Sequence, residues 1–309
     1  MKDMKIVIPE LRVVIPAYNE ESSIGEVIDR TREACKDAEI IVVDDGSKDN
    51  TAAIAKRRNV KVISNPTNYG YGKALKIGFD SKTDYIKYFA FLDADNTYPP
   101  EKIPELYNLC KQENGVDIAV GSRFLGANKG MPIIRKLGNR FFALIVSIYT
   151  GKTITDAGSG MRVFKASLLP EFQDLPDGLS FTPGMTVKVL HKGMTYQEIP
   201  IEYHERAGES KLSAIKDGYR FFNVISNTVK NHRPIAFFST IGIPLFVIGV
   251  ILGVYSVGRW LTGSLFIPSF ILTTLLILVG MFILMIGLVA DMIVDLRHVV
   301  ERMEKEMKK

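Results

Sequence analysis

Three short segments of the sequence carry polar side chains of the kinds that bind nucleotides and metal ions. They read PAYNE (residues 16–20), DDGSKDNT (44–51) and DADNTYPP (93–100), and each adjoins an apolar run that predicts a buried strand. In an open parallel sheet, ligands bind outside the carboxyl ends of the strands. We therefore expect the three segments to face one crevice.

Asp93 and Asp95 stand two residues apart at the end of a predicted strand, where their carboxylates could share one hard cation. Mg²⁺ and Mn²⁺ are commonly held by one or two carboxylates together with substrate phosphates. Such an ion would neutralise the charge that develops on a diphosphate leaving group. Asp44 and Asp45 could accept hydrogen bonds from a base or a ribose, and Tyr18 offers a face for stacking.

The sequence lacks the glycine-rich loops that commonly cradle phosphates. The run Gly70-Tyr71-Gly72-Lys73 does not have the spacing of a P-loop, and no GxGxxG motif occurs. We therefore expect a nucleotide to be held through a metal ion and strand-end side chains rather than by a glycine cradle.

A group of basic residues could bind a second phosphate. Arg123 ends a predicted strand at the same sheet edge, and Arg135 and Arg140 precede the apolar run FFALIVSIY (141–149). That pattern is typical of a helix lying in a bilayer interface with a phosphate head group beside it. Arg206 and Lys211 flank a glycine in the loop RAGESK, a composition that suits a lid over phosphates, although Lys211 is equally explained as a membrane-surface charge.

The elements that must position these residues alternate along the chain. The pattern predicts strands over 11–16, 39–47, 60–64, 85–95 and 116–123, with helices over 20–37, 51–59, 71–80 and 99–114 between them. This order favours an α/β fold, with a mostly parallel sheet and helices on both faces. Further along, amphipathic helices are predicted over 133–152 and 214–233, a glycine-rich turn running into a strand over 155–165, a helix over 181–193 and a strand over 195–203.

The last part of the sequence predicts a transmembrane helical hairpin. No charged residue occurs from Pro234 to Gly258 or from Leu265 to Ala290, and each run exceeds the ~20 residues that a spanning helix needs. Cations flank the outer ends of both runs, whereas only Arg259 is charged between them, so both termini are expected in the cytoplasm. The predicted organisation is a catalytic domain (1–213), an interface helix (214–233) and a membrane hairpin with a cytoplasmic tail (234–309).

Composition excludes several other classes of protein. Apolar residues make up 47% of the chain, which excludes intrinsic disorder. The net charge of +5 comes without a basic stripe interleaved with aromatic residues, which argues against nucleic-acid binding. Cys35 and Cys110 have no CxxC spacing, and the four histidines have no metal-binding spacing.

The motifs VVIPAYNEE, IIVVDDGSKDNT, FLDAD…PP, GSRF, SGMRVF and RAGESKLS occur in this order. Together they resemble glycosyltransferase family 2 over about residues 6–230, and more closely the polyprenyl-phosphate glycosyltransferases, such as dolichyl-phosphate mannose and glucose synthases. The resemblance implies a GT-A (Rossmann-like) fold with one metal site. It also implies inverting transfer of a sugar from GDP-mannose or a UDP-sugar to polyprenyl (dolichyl) phosphate at the cytoplasmic face of the membrane.

With the resemblance, the predicted site residues fall into overlapping sets. Those expected to bind the nucleotide-sugar are Pro16, Ala17, Tyr18, Glu20, Asp44, Asp45, Lys73, Asp93, Ala94 and Asp95. Those expected to bind the acceptor phosphate are Arg123, Arg135, Arg140, Arg206 and Lys211. Mg²⁺ or Mn²⁺ is expected at Asp93 and Asp95, and Asp95, Arg123 and Arg135 are expected to act in catalysis.

Thr97 departs from the mannose synthases that this sequence resembles, which often carry glutamine there as a further metal ligand. The sugar, the base, the choice of metal and the oligomeric state therefore stay open, and a homo-oligomer is compatible with the sequence. Two alternatives also stay open: a family 2 enzyme acting on another lipid or lipid-linked acceptor, and a non-enzymatic membrane scaffold that binds a nucleotide. A processive polysaccharide synthase is disfavoured because the sequence has no QxxRW motif.

Overall fold

The computed structural model describes residues 9–80, 85–127, 131, 133–204, 234–263 and 267–307. The chain divides into two compact units, Met1–Ile225 and Ser226–Lys309. The predicted interface helix over 214–233 lies outside the described residues.

The first unit is built on a seven-stranded sheet in the order β3-β2-β1-β4-β6-β5-β7. Its strands are β1 (Leu11–Ala17), β2 (Glu39–Asp44), β3 (Lys61–Ser64), β4 (Tyr88–Phe91), β5 (Ile118–Ser122), β6 (Arg162–Lys165) and β7 (Tyr196–Pro200). Among these strands β6 runs antiparallel to both of its neighbours, and the remaining pairs are parallel.

The helices of this unit are α1 (Ile24–Ala34), α2 (Thr51–Arg57), α3 (Tyr71–Asp80), α4 (Ile103–Lys111), α5 (Ile133–Thr150), α6 (Leu169–Phe172) and α7 (Phe181–His191). Short 3₁₀ turns at Pro100–Lys102 and Ala166–Leu168 lead into α4 and α6. Because both faces of the sheet are covered, its central strands are mostly apolar, and every residue of Leu11–Ala17 is buried. Side chains of α1 and α4 fill the core on one face, and those of α3 and α7 fill the core on the other. The predicted α/β class with helices on both faces is confirmed.

Strand β6 brings the glycine-rich segment that precedes it to the edge of the sheet where the parallel strands end. Because β6 is antiparallel, its first residue lies where β4 and β5 end: Arg162 pairs with Phe91 and with Val120. The glycine-rich segment that precedes β6 therefore reaches the same edge as the strand-end carboxylates.

The second unit is a pair of apolar helices, α8 (Pro234–Leu261) and α9 (Ile267–Met307). Within them, Phe237–Leu261 and Ile267–Val294 are long and apolar enough to cross a membrane. The two backbones approach closely at glycines: a Cβ added to Gly249 would lie 3.0 Å from the backbone nitrogen of Ile277, and one added to Gly242 would lie 3.0 Å from the carbonyl oxygen of Gly280. The prediction of two apolar helices that could form a membrane hairpin is confirmed.

Candidate active site

The loops that follow β1 and β2 are joined by hydrogen bonds at one edge of the sheet. The backbone nitrogen of Asn19 donates to Ser47 Oγ at 2.9 Å, and that of Lys48 donates to Asn19 Oδ1 at 2.7 Å. The backbone nitrogen of Glu20 donates to Thr51 Oγ1 at 2.8 Å. The first two sequence segments thus form one surface, and Tyr18 and Glu20 are half-buried in it.

Asp45 holds the loop that leads into α3. Its buried carboxylate accepts hydrogen bonds from Asn65 Nδ2 at 2.8 Å, from the backbone nitrogen of Tyr69 at 2.9 Å and from that of Gly70 at 2.8 Å. The neighbouring Asp44 accepts one hydrogen bond, from the backbone nitrogen of Ser47 at 3.2 Å. Both aspartates therefore organise loops at this edge, and their predicted contact with a base or ribose stays a prediction.

Asp93 is fixed from two sides. The hydroxyl of Tyr71, the first residue of α3, donates a hydrogen bond to Asp93 Oδ1 at 2.7 Å. Burial and the nearby Asp93 raise the pKa of Tyr71, so the phenol stays protonated and can donate. Gly160 also lies against Asp93: an added Cβ would come within 2.7 Å of both carboxylate oxygens. A side chain at position 160 would therefore displace this carboxylate.

Asp95 sits in a tight turn held by its own neighbours. Its Oδ1 accepts hydrogen bonds from the backbone nitrogen of Thr97 at 3.2 Å and from Thr97 Oγ1 at 2.6 Å. Asn96 between them has a φ of 61°, a left-handed conformation that asparagine tolerates. Arg30 of α1 fixes this residue by donating to Asn96 Oδ1 at 2.6 Å while pairing with Glu101. Thr97 thus serves to orient Asp95.

Arg123 forms a buried, two-pronged ion pair with Asp156. Its Nε and Nη2 lie 2.7 Å from the two carboxylate oxygens, and its backbone nitrogen donates to the same carboxylate at 3.1 Å. Burial alone would lower the pKa of Arg123, but Asp156 outweighs it and the pKa lies above its ordinary value. The guanidinium carbon lies 6.0 Å from the ring centroid of Tyr98 and 5.5 Å from that of Tyr203.

The segment from Thr155 to Gly160 connects this ion pair to the Asp93 carboxylate. Glu198 of β7 accepts hydrogen bonds from the backbone nitrogens of Thr155 and Asp156 at 2.9 and 3.0 Å. At the other end, the backbone nitrogen of Gly160 donates to the hydroxyl of Tyr98 at 2.8 Å. Sequence reasoning missed Asp156, Tyr98 and Glu198. The signal available for Asp156 was a carboxylate inside the glycine-rich run TDAGSG.

The other predicted residues lie in different environments. Pro16, Ala17 and Ala94 are buried parts of the strand ends, whereas the side chain of Lys73 is exposed on α3. Arg140 is exposed on α5, with its guanidinium carbon 5.8 Å from the ring centroid of Phe124. Arg135 lies in the first turn of α5, but its side chain lies outside the described residues, as do Arg206 and Lys211.

The carboxylates of Asp93 and Asp95 fit a hard divalent cation that is bound jointly with a phosphate. Asp93 and Asp95 supply carboxylate oxygens from one turn, and Mg²⁺ typically takes one or two carboxylates plus substrate oxygens. Within the part of the chain that the structure describes, no group of three or more His, Cys, Asp or Glu side chains forms an all-protein metal cage. A metal here would depend on the substrate for its remaining ligands.

The fold is that of GT-A glycosyltransferases. The solved structure of glucosyl-3-phosphoglycerate synthase from Mycobacterium tuberculosis, in complex with Mn²⁺, UDP and phosphoglyceric acid, is similar with a TM-score of 0.58. It is 19% identical in sequence and covers 71% of this chain and 78% of its own.

The family model for glycosyl transferase family 2 matches residues 12–172. The chain belongs to glycosyltransferase family 2, and both the resemblance seen in the sequence and the predicted enzyme class are confirmed.

Several relatives are similar over most of the chain. A dolichyl-phosphate hexose transferase of Haloferax volcanii is 32% identical over 210 residues, which are 68% of this chain and 89% of that protein. An undecaprenyl-phosphate 4-deoxy-4-formamido-L-arabinose transferase of Enterobacter sp. is 32% identical over 259 residues, which are 80% of this chain and 75% of that protein. The low-salt glycan biosynthesis hexosyltransferase Agl6 of Haloferax volcanii is 34% identical over 79% of this chain, and the match spans 58% of its own length.

Proposed function

We propose that this protein transfers a hexose from a nucleoside-diphosphate sugar to a polyprenyl phosphate at the cytoplasmic face of a membrane. The observation that carries the proposal is that a carboxylate suited to a metal ion and a buried arginine suited to a phosphate lie at one edge of the sheet. The Asp93 carboxylate and the buried Arg123–Asp156 pair are linked by the six-residue segment 155–160, in a chain that also has two membrane-length apolar helices. The similarity to a dolichyl-phosphate hexose transferase and to an undecaprenyl-phosphate 4-deoxy-4-formamido-L-arabinose transferase supports the same function.

On the donor side, Asp93 and Asp95 are the residues that would hold Mg²⁺ or Mn²⁺. When bound, the ion would neutralise charge on the diphosphate of GDP-mannose or a UDP-sugar. The surface formed by Tyr18, Glu20 and the Asp45-held loop would bind the nucleoside. The Tyr71 hydroxyl orients the Asp93 carboxylate and Gly160 leaves room for it, so little reorganisation is required when the sugar donor binds.

On the acceptor side, the nucleophile is an oxygen of the lipid phosphate, which is already ionised at neutral pH. No side chain is therefore needed as a general base, unlike transfer to a hydroxyl. The phosphate oxygen forms the new bond to the anomeric carbon as the bond to the nucleoside diphosphate breaks, so a single displacement inverts the configuration. Arg123 and Arg135 would orient the phosphate in line, with Arg140, Arg206 and Lys211 contributing further positive charge.

Helix α5 supplies a route for the lipid. Its apolar residues at helical spacing are exposed rather than buried: Ile133, Leu137, Phe141, Leu144 and Ile148. An apolar stripe next to Lys136 and Arg140 is suited to the bilayer interface. The cations that flank the two apolar runs support a cytoplasmic position for the first unit.

The test is a screen of GDP-mannose and several UDP-sugars against one polyprenyl phosphate, using the full chain in detergent. We expect nucleoside diphosphate to be released from one donor, and only when the polyprenyl phosphate and a divalent cation are both present. Release that does not depend on the lipid phosphate, or no release from any donor, would contradict the proposal.

A further inference from the structure

Arg162 is a fully buried arginine at the functional edge of the sheet, with 0% of its surface exposed. It is the first residue of β6 and pairs in register with Phe91 and Val120. Asp93 follows Phe91 by two residues and Arg123 follows Val120 by three. Arg162 therefore lies between the strand that leads to the donor carboxylates and the strand that leads to Arg123.

The Arg162 guanidinium has neutral partners. It donates to the carbonyl oxygens of Ser159 and Ala157 at 2.9 and 2.7 Å and to Thr186 Oγ1 at 2.8 Å. Among the described residues, no carboxylate lies within ion-pair distance of it. Burial lowers its pKa, yet arginine stays charged in proteins. The charge of Asp156 favours the protonated guanidinium, but no carboxylate in the described part of the chain pairs with it directly. A buried charge held in this way is costly, so a packing role alone would be served better by an apolar side chain.

The two carbonyl groups belong to the segment that joins both halves of the site. One residue before Ala157 is Asp156, which holds Arg123 by two hydrogen bonds of 2.7 Å. One residue after Ser159 is Gly160, which lies against the Asp93 carboxylate. The three acceptors are reached from three different nitrogens, Nε, Nη1 and Nη2. A lysine ammonium has three donors on a single nitrogen and cannot reproduce this planar spread.

We propose that Arg162 is a positioning residue. It sets the separation between Asp93, on the side of the sugar donor, and the Arg123–Asp156 pair, on the side of the acceptor phosphate. This inference rests on the proposed function, because it assigns Asp93 to the donor and Arg123 to the acceptor phosphate. A misplacement of about 1 Å between reacting groups can reduce turnover by about 100-fold. Arg162 touches neither substrate in this account and acts through the segment from Ala157 to Gly160.

The test compares Arg162→Lys with a matched control, Arg12→Lys, in the full chain. Arg12 is also buried, with 1% of its surface exposed, but it lies five residues before the end of β1 and is paired with Glu39. Both changes should lower the melting temperature, because both disturb a buried guanidinium. We expect turnover at saturating substrates to fall at least about 30-fold for Arg162→Lys and less than about 3-fold for Arg12→Lys, per folded molecule.

A second readout is independent of turnover. UDP and GDP affinity is measured with and without Mn²⁺, and the gain in affinity on adding Mn²⁺ should shrink in Arg162→Lys and be kept in Arg12→Lys. If Arg162→Lys does not fold, Thr186→Val replaces it and keeps the arginine. This change removes one partner of the guanidinium and also the hydroxyl's own hydrogen bond to the carbonyl oxygen of Ala157 at 3.1 Å. That variant should lose at least about 5-fold in turnover.

Equal turnover and equal Mn²⁺ gains in the Arg162 and Arg12 variants, or full turnover of Thr186→Val, would overturn the inference while leaving the proposed function intact. A parent protein without lipid-phosphate-dependent release is a separate result. It would contradict the proposed function, and the inference with it.

Discussion

At the scale of single residues, the site is a set of carboxylates whose oxygens are oriented by neutral donors. The Tyr71 hydroxyl donates a hydrogen bond to Asp93 at 2.7 Å, and the Thr97 hydroxyl donates one to Asp95 at 2.6 Å. Neutral donors fix a carboxylate without cancelling its charge, so its attraction for a cation is kept. This arrangement leads to two predictions.

Asp93→Ala and Asp95→Ala should each lose at least ~100-fold in turnover, the scale of an electrostatic contribution worth ~3 kcal/mol. Global folding should survive because both residues follow β4 and are only half-buried. The measurement is steady-state transfer together with a melting curve. Near-normal activity of both variants, or full activity in the presence of a chelator, would remove the metal from the account.

Tyr71→Phe deletes the hydroxyl that donates to Asp93 and keeps the ring. We expect turnover to fall about 10-fold, the equivalent of one hydrogen bond to a charged group, and the activating metal concentration to rise. The control is Tyr107→Phe, whose hydroxyl lies 3.5 Å from Glu10 near the amino end of β1. The measurement is turnover as a function of metal concentration in both variants. An identical dependence in the two would show that the Tyr71 hydroxyl has no role in orienting Asp93.

The strand-end carboxylates could be predicted from the sequence because an apolar run followed by polar residues has one place in a parallel sheet. Asp156 and Arg162 could not, because their place depends on β6, which returns antiparallel between β4 and β5. The short run RVFK has the same local pattern whichever neighbours it pairs with. Asp45 shows a different limit: the sequence predicted a carboxylate at a strand end, but not its three hydrogen bonds to the 65–70 loop.

At the scale of elements, α5 combines an apolar pattern with an exposed position. Its length was predicted nearly to the residue, 133–152 against Ile133–Thr150. The sequence also predicted a membrane-interface role, which the exposure of Leu137 and Leu144, at 63% and 56%, supports. In water an exposed stripe of this kind is unfavourable, so a covering apolar phase would stabilise it.

Leu137→Glu and Leu144→Glu should therefore raise the KM for polyprenyl phosphate in lipid vesicles by about 10-fold, because a charge on this face opposes its burial in the interface. The KM for the donor should change little. Tyr85→Glu is the control. Tyr85 is also a large exposed hydrophobic residue, but it precedes β4 and so lies at the amino ends of the strands, away from the site. Unchanged acceptor kinetics in both leucine variants would show that α5 does not meet the lipid.

At the scale of the whole molecule, a catalytic unit is joined to a pair of apolar helices. Glycines at the α8–α9 contact let the backbones approach to van der Waals distance, which is how helices associate where no water drives them together. A hairpin puts its two ends on the same face of a membrane, so the catalytic unit and the tail after Val294 should share one compartment.

Protease protection in sealed vesicles of known orientation checks this topology. We expect the first unit and the segment ERMEKEMKK to be digested from the same face, while the SLF segment between the helices is reached from the other. Digestion of the first unit and the tail from opposite faces would refute the hairpin.

The proposed mechanism requires the phosphate of a lipid as the nucleophile. Its most direct test is to supply the purified protein with the active labelled sugar nucleotide and either a polyprenyl phosphate or the corresponding polyprenol, and to measure label extracted into organic solvent. We expect labelled lipid with the phosphate and none above background with the alcohol, because a hydroxyl, unlike an ionised phosphate, must lose a proton as it attacks. Equal transfer to both acceptors, or transfer to the alcohol alone, would contradict the mechanism.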